Sequence, residues 1–201
     1  MRAEFVAALT SNQEAFGIEL SDPALEGLAN YYEIVQEHNP LLHLVARCSA
    51  EEFAVRHILE SLTLLDHLPQ NAKFADIGAG AGLPSIPGLL VRDDLHAMLI
   101  ESKEKKARFL ADAIPKLGLL GRADVINRQF AEADAAGYKF VTSRALDRMT
   151  ERLPSLLKWA KGRRLLLFGG KNLAAALQKL PVHVSQELTP LSEQRFLFVV
   201  D

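Results

Sequence analysis

"KFADIGAGAGLPSIPG", residues 73–88, places three glycines within five positions directly after a short apolar run. A run of that length, bounded by glycine, reads as a buried strand. Glycine at such a turn tolerates positive φ and leaves bare backbone for a ligand to approach. Pro84 falls where a first helical turn accommodates it, because that turn's N–H groups lack partners anyway. The stretch reads as strand, glycine turn and helix. In an open α/β sheet, ligands bind beyond the carboxyl ends of the strands, where such a turn lies.

Downstream the same rhythm continues. Strands are predicted at 73–78, 95–102, 123–129, 138–144 and 163–169, with helices between them, notably over 102–118 and 150–162. Strands alternating with helices imply a parallel sheet built from right-handed crossovers. The segments 182–189 and 194–201 have a loop but no helix between them, which predicts a terminal antiparallel hairpin. Upstream, residues 1–70 read as helices. Asp22 reads as the N-cap with Pro23 at the first helical position, and Leu25, Leu28, Tyr32 and Val35 follow at helical spacing. Ser49 with Glu52 three residues on forms a capping-box pattern. Phe53, Val55, Ile58, Leu59, Leu62 and Leu65 then make one apolar face. The chain divides into an N-terminal helical region, 1–70, and an α/β domain, 71–201.

With 201 residues, 49% hydrophobic and 24% charged, the composition is that of an ordinary globular protein. No apolar run reaches the roughly 18 residues of a membrane span. The N-terminus carries acidic residues within its apolar pattern and no small-residue cleavage site, so it does not read as a secretion signal. The single cysteine, Cys48, excludes an internal disulfide and a cysteine-based metal cluster; no metal is expected, and the expected location is the cytoplasm. Without an extended heptad, a monomer is expected. The net charge of −2 hides a segregation: residues 1–101 hold 5 basic and 15 acidic side chains, whereas 102–180 hold 17 and 7. A segment at +10 suits a polyanion such as nucleic acid, and equally suits solvated helix faces.

The glycine loop narrows the ligand. A dinucleotide fingerprint needs G-x-G-x-x-G, but Leu83 stands where its third glycine belongs. A P-loop needs a terminal Gly-Lys-Ser/Thr, which does not follow. The order D-x-G-x-G-x-G, through Asp76, Gly78, Gly80 and Gly82, resembles the donor-binding motif of class I S-adenosylmethionine methyltransferases. Glu101 ends the second strand 19 residues past Gly82, where an acid can accept both ribose hydroxyls of a nucleoside. Asp76, at the end of strand one, is suited to ordering the donor's methionine end.

Four further strings, "HILES" at 57–61, "DIGAGAGLPSIP" at 76–87, "IESKEKKARFL" at 100–110 and "VTSRA" at 141–145, resemble the glucose-inhibited division protein B family, from about residue 30 to the C-terminus. The resemblance implies a class I, Rossmann-like fold: a mostly parallel seven-stranded sheet with the C-terminal antiparallel hairpin, preceded by the helical region. It implies S-adenosylmethionine as donor and, as acceptor, the 7-nitrogen of a guanine in the 530 loop of small-subunit (16S) ribosomal RNA. Donor contacts are then expected at Asp76, Gly78, Ala79, Gly80, Gly82, Leu83, Glu101, Ser102 and Arg144, with Phe130 and Ala131 near the adenine. The chain departs from the family in places. Glu60-Ser61 replaces Asp-Ser, and His43-Leu44-Val45-Ala46 replaces Asn-Leu-Thr-Ala. Gln129-Phe130 interrupts an Arg-Ala-Glu stretch, and Phe168-Gly169-Gly170 displaces a lysine to Lys171.

Guanine N7 carries a free in-plane lone pair and needs neither deprotonation nor covalent activation. The chain has no Asn-Pro-Pro-Tyr motif for an amine and no Pro-Cys thiol, since Arg47 precedes Cys48. Catalysis is expected to be placement. Arg144 is assigned to a phosphate or to the acceptor edge of guanine. His57, Glu60 and Ser61 share a helix face by their i, i+3, i+4 spacing, and His57 and Ser61 are taken with Arg144 as catalytic. Lys103, Lys105, Lys106 and Arg108 crowd a helix start, where cations are unfavourable unless a phosphate faces them. A small-molecule methyltransferase, or an RNA-binding or ribosome-assembly module with a decayed donor site, also accommodates these residues.

Overall fold

In the computed structural model, which describes residues 1–144 and 148–201, seven strands form one sheet in the order β3-β2-β1-β4-β5-β7-β6. They are β1 (Lys73–Ile77), β2 (His96–Ile100), β3 (Ala123–Ile126), β4 (Phe140–Ser143), β5 (Arg164–Gly169), β6 (Val184–Leu188) and β7 (Phe196–Val200). β1 to β5 run parallel; β7 lies antiparallel between β5 and β6 as the expected hairpin. Each parallel strand is shorter than its sequence pattern because the flanking residues turn out into loops. Ala145 of the "VTSRA" string lies outside the described residues.

Period-two alternation sorts the strand side chains between two cores. Phe74, Leu99, Leu166 and Val199 face one; Ala75, Met98, Leu165 and Phe198 face the other. The first core is covered by α5 (Ser85–Val91), α6 (Glu104–Lys116) and the N-terminal helices, and it runs without a break from Phe5 to the sheet. The second is covered by α7 (Met149–Trp159) and α8 (Lys171–Leu177). The chain moves outward from β1 through β2 to β3, then returns to place β4 on the other side of β1. That reversal opens a crevice at the carboxyl ends of β1 and β4.

The helical region comprises α1 (Arg2–Asn12), α2 (Asp22–Leu42), α3 (Ala50–Glu52) and α4 (Glu60–Leu62), with π-helical winding across Phe53–Leu59 joining the last two. The cap of α2 is Ser21, not Asp22: its Oγ accepts from Ala24 N at 3.4 Å. Ser49 caps α3, accepting from Glu52 N at 3.0 Å, but the Glu52 carboxylate pairs with Arg56 instead of closing the box. Pro84 is likewise the cap of α5, one position before the helix. Phe53 packs edge-on to Tyr32 and to His57, with ring centroids at 5.1 and 5.0 Å. This aromatic contact fixes the helix that carries His57.

Candidate methyl-donor site

Gly78, Gly80 and Gly82 all adopt positive φ, at 70, 57 and 94°. The loop they form folds toward β2: Gly78 N and Ala79 N both donate to Ile100 O, at 2.8 and 3.2 Å. Tyr31 of α2, fully buried, donates to Ala81 O at 3.0 Å and holds the loop from the other side. Gly82 has a packing reason as well. A Cβ there would lie 2.3 Å from Ile86 Cδ1, whereas a Cβ on Gly80 would meet nothing nearer than Gly78 O at 3.6 Å. Gly82 seats the loop on α5, and Gly80 faces open space.

Glu101 closes the loop from β2. Its Oε2 accepts from Gly80 N at 2.9 Å and its Oε1 from Lys103 N at 2.8 Å. Asn127 steadies the same point, donating from Nδ2 to Glu101 O at 2.9 Å. The result is a cavity of about 560 Å³ at the crevice between β1 and β4. Gly78, Ala79, Gly80, Ala81 and Leu83 form its base, with Glu101, Ser102, Lys103 and Lys106 on one side. Gln129, Arg144 and Arg152 close the other side, and Leu44, Val45, Ala46 and His57 come from the helical region.

Several residues singled out from the sequence do not line it. Asp76 is fully buried beneath the loop; Oδ2 accepts from Ser85 Oγ at 2.6 Å, and Oδ1 has no partner among the described residues. Burial pushes its carboxyl up to about 7, opposed by the Ser85 hydrogen bond and reinforced by the Glu101 charge. Gly82 is used by packing. Phe130 is buried against Trp159, ring centroids 5.9 Å apart, and Ala131 is exposed outside the cavity; Gln129 stands at the wall in their place. Ser61 is sealed, donating to His57 O at 2.5 Å. The four helix-start cations split: Lys103 and Lys106 line the cavity, while Lys105 and Arg108 line a separate shallow hollow with His38 and Leu42.

Behind the cavity wall is a charge cluster. Arg144, its side chain 13% exposed, donates from Nη1 to Ser61 Oγ at 3.1 Å and from Nη2 to Arg56 O. Nη2 also lies 3.5 Å from Glu60 Oε2 and from His57 Nδ1. The guanidinium sits over the Phe168 ring, 5.7 Å from its centroid. Glu60, 2% exposed, receives Arg195 at 2.6 Å through both Nε and Nη2. Burial raises the Glu60 carboxyl, and the Arg144 and Arg195 charges oppose that rise. His57 is pushed down to about 4, first by burial and then by Arg144, Arg56 and Arg195, so its imidazole is neutral at physiological pH. Arg152 and Asn127 carried no signal in the sequence, since each reaches the site only through tertiary packing; Ala81 comes with the glycine loop.

Known proteins resemble this chain in sequence and in fold. The family GidB, described as rRNA small subunit methyltransferase G, matches residues 24–192. A protein named ribosomal RNA small subunit methyltransferase G from Halorhodospira halophila is 34% identical over 176 residues, spanning 86% of this chain and 82% of its own. One of the same name from Yersinia enterocolitica is 36% identical over 151 residues, 75% of this chain and 71% of its own. Among solved structures, a SAM-dependent methyltransferase from Aquifex aeolicus superposes with a TM-score of 0.59 at 14% identity, covering 85% of this chain and 97% of that one. That likeness shows the fold.

Proposed function

The chain belongs to the rRNA small subunit methyltransferase G family, and from that premise we propose the following reaction. It transfers a methyl group from S-adenosylmethionine to N7 of a guanine in the 530-loop region of small-subunit (16S) ribosomal RNA. One observation carries the reading. The Glu101 carboxylate clasps the bare backbone of Gly80 in the same cavity that His57 and Arg144 wall.

The residues present fit the donor. Gly78 and Gly80 offer backbone without a side chain. Each Glu101 oxygen accepts one amide and keeps a lone-pair site for a ribose hydroxyl. Leu83 and Gln129 offer an apolar surface and an amide edge to adenine. The volume, about 560 Å³, lies within the range of small-molecule sites, roughly 300–1,000 Å³. Asp76 acts from below, holding Ser85 and so the start of α5, rather than touching the donor. When bound, the sulfonium supplies an electrophilic methyl group.

What the chain contributes is placement. N7 already exposes its lone pair, so no group need remove a proton. Its ring gains positive charge as the methyl arrives, and His57, held neutral, adds no opposing cation beside it. Arg144 spends its fork on Ser61 and Arg56, which makes it and Ser61 positioning residues for His57. Lys103 and Lys106 at the cavity, with Lys105 and Arg108 on the adjacent face, attract phosphates. The helical region 1–70 completes the site of the 71–201 domain through Leu44, Val45, Ala46 and His57. No helix among the described residues is long and apolar enough to cross a membrane. With ribosomal RNA as acceptor, the protein works in the cytoplasm, and as a monomer, on RNA or on the small subunit.

The test is incubation with methyl-labelled donor and either small subunits or bare RNA from cells lacking the enzyme. Label on N7 of one guanine is the expected result. Donor binding without transfer to RNA points to a small-molecule methyltransferase, and no donor binding points to a decayed site.

A further inference from the structure

The donor cavity has a neighbour. Leu44, Val45 and Ala46 form a thin wall, lining the donor cavity on one side and a second concavity of about 620 Å³ on the other. The far side of that concavity is the end of α2, with Gln36, Asn39 and Pro40. His43 and Arg47 flank the wall in sequence and line the same concavity.

The wall is built, not incidental. His43 turns out of α2 with φ 48°, its N–H donating to Asn39 O at 3.0 Å. Val45 N donates to Asn39 Oδ1 at 3.0 Å, which pins the loop and leaves the Asn39 amide nitrogen as a donor. Lys106, which lines the donor cavity, donates to His43 O at 3.3 Å, so its ammonium stands where the two spaces meet. Arg47 is exposed.

We propose that this second concavity seats the nucleotide next to the acceptor guanine in the same RNA strand. The inference rests on the RNA reading of the donor site. A guanine that enters the donor cavity must leave its stack, and single-stranded RNA is read by pockets that take successive splayed bases. The neighbouring base packs on Pro40, Leu44 and Val45, with the Asn39 amide and Gln36 available to its edge. The phosphate between the two nucleotides meets Lys106 and Arg47. A small-molecule acceptor has no use for this space.

The test compares Arg47→Ala and Gln36→Trp with the wild type. Arg47 is an exposed side chain, and Gln36 lines the second concavity without lining the first. Three quantities are read: the KM for unmethylated small subunits, the salt dependence of RNA binding, and donor affinity by calorimetry. Arg47→Ala should raise KM about tenfold, as the loss of one charge-assisted contact does, and flatten the salt slope by roughly 0.7. Gln36→Trp, which fills the space, should raise KM similarly with the slope unchanged. Donor affinity should stay at the wild-type value in both. If both variants keep wild-type KM and slope while the wild type methylates RNA, the second subsite is wrong and the donor site stands. If the wild type transfers no methyl group to RNA, both readings fall.

Discussion

The N–H of Gly80 donates to Glu101 Oε2 at 2.9 Å, and this one bond joins the loop after β1 to the acid at the end of β2. Two features 21 residues apart therefore act as one clasp, with Lys103 N on the other oxygen of the same carboxylate.

Glu101→Gln should break it. An amide presents one acceptor and one donor to two backbone donors, so one of the two bonds is lost along with the charge. The one amide oxygen left is occupied by backbone, so the ribose loses a hydrogen bond to a charged group, worth about 1.5–3 kcal/mol, and donor affinity should fall about 10- to 150-fold. Calorimetric titration of S-adenosylmethionine checks this, and an unchanged dissociation constant would move the ribose contact elsewhere.

Gly80 and Gly82 should separate binding from stability. Both sit at positive φ, which costs a side-chain-bearing residue about 1–2 kcal/mol. Gly82→Ala forces the Ile86 side chain to move and should lower the thermal midpoint. Gly80→Val projects into open cavity and should remove donor binding from a folded protein. Tight donor binding by a folded Gly80→Val would refute the loop assignment.

Arg144→Ala removes the fork that holds Ser61, the Arg56 carbonyl and the edge of His57, and it leaves Glu60 with Arg195 alone. The expected effect is on placement: kcat should drop by more than the loss of RNA affinity accounts for. Glu60→Ala strips the partner from two arginines and should destabilise by about 3–5 kcal/mol, as breaking a buried pair does. Single-turnover kinetics on small subunits and chemical unfolding read the two effects separately.

Stability against pH should show two opposed contributions. Asp76 is raised to about 7, so between its unfolded value near 3.8 and 7 the native state holds the extra proton and stability falls as pH rises. His57 is lowered to about 4, so between 4 and 6.5 the unfolded state holds the extra proton and stability rises with pH. From pH 4 to 6.5 these two contributions should nearly cancel, leaving the fall with rising pH that the raised Glu60 carboxyl adds. Asp76→Asn should uncover the rise and His57→Gln the fall, each up to about 1.4 kcal/mol per pH unit, in urea unfolding across the range. A flat profile in both variants would exclude these shifts.

Lys105 and Arg108 sit off the donor cavity, which lets the RNA face be tested without touching the donor. Replacing both with Ala should flatten the salt slope of RNA binding by roughly 1.4 and leave donor affinity alone. An unchanged slope would return them to solvated-surface status.

The elements that local pattern controls were legible. The apolar run, the alternating glycines and the acid at the end of the next strand identify β1, its loop and β2, because backbone conformation and strand length are set by neighbours a few positions away. Part of the division of the basic cluster was latent there, since 105 and 108 lie three apart on one helical stripe and 106 falls off it, while 103 caps the helix. Which stripe faced the ligand depended on how α6 packs against β3 and α2. Tertiary structure alone decided the rest. Asp76 pointed to the donor by motif but lies sealed under Ser85; Arg152 enters from α7; Glu60 meets Arg195 across 135 positions. These outcomes depend on burial and on charges brought together by the crossing of helices over a sheet. No short window of sequence encodes such distances, because they are fixed only when both faces of the sheet are covered.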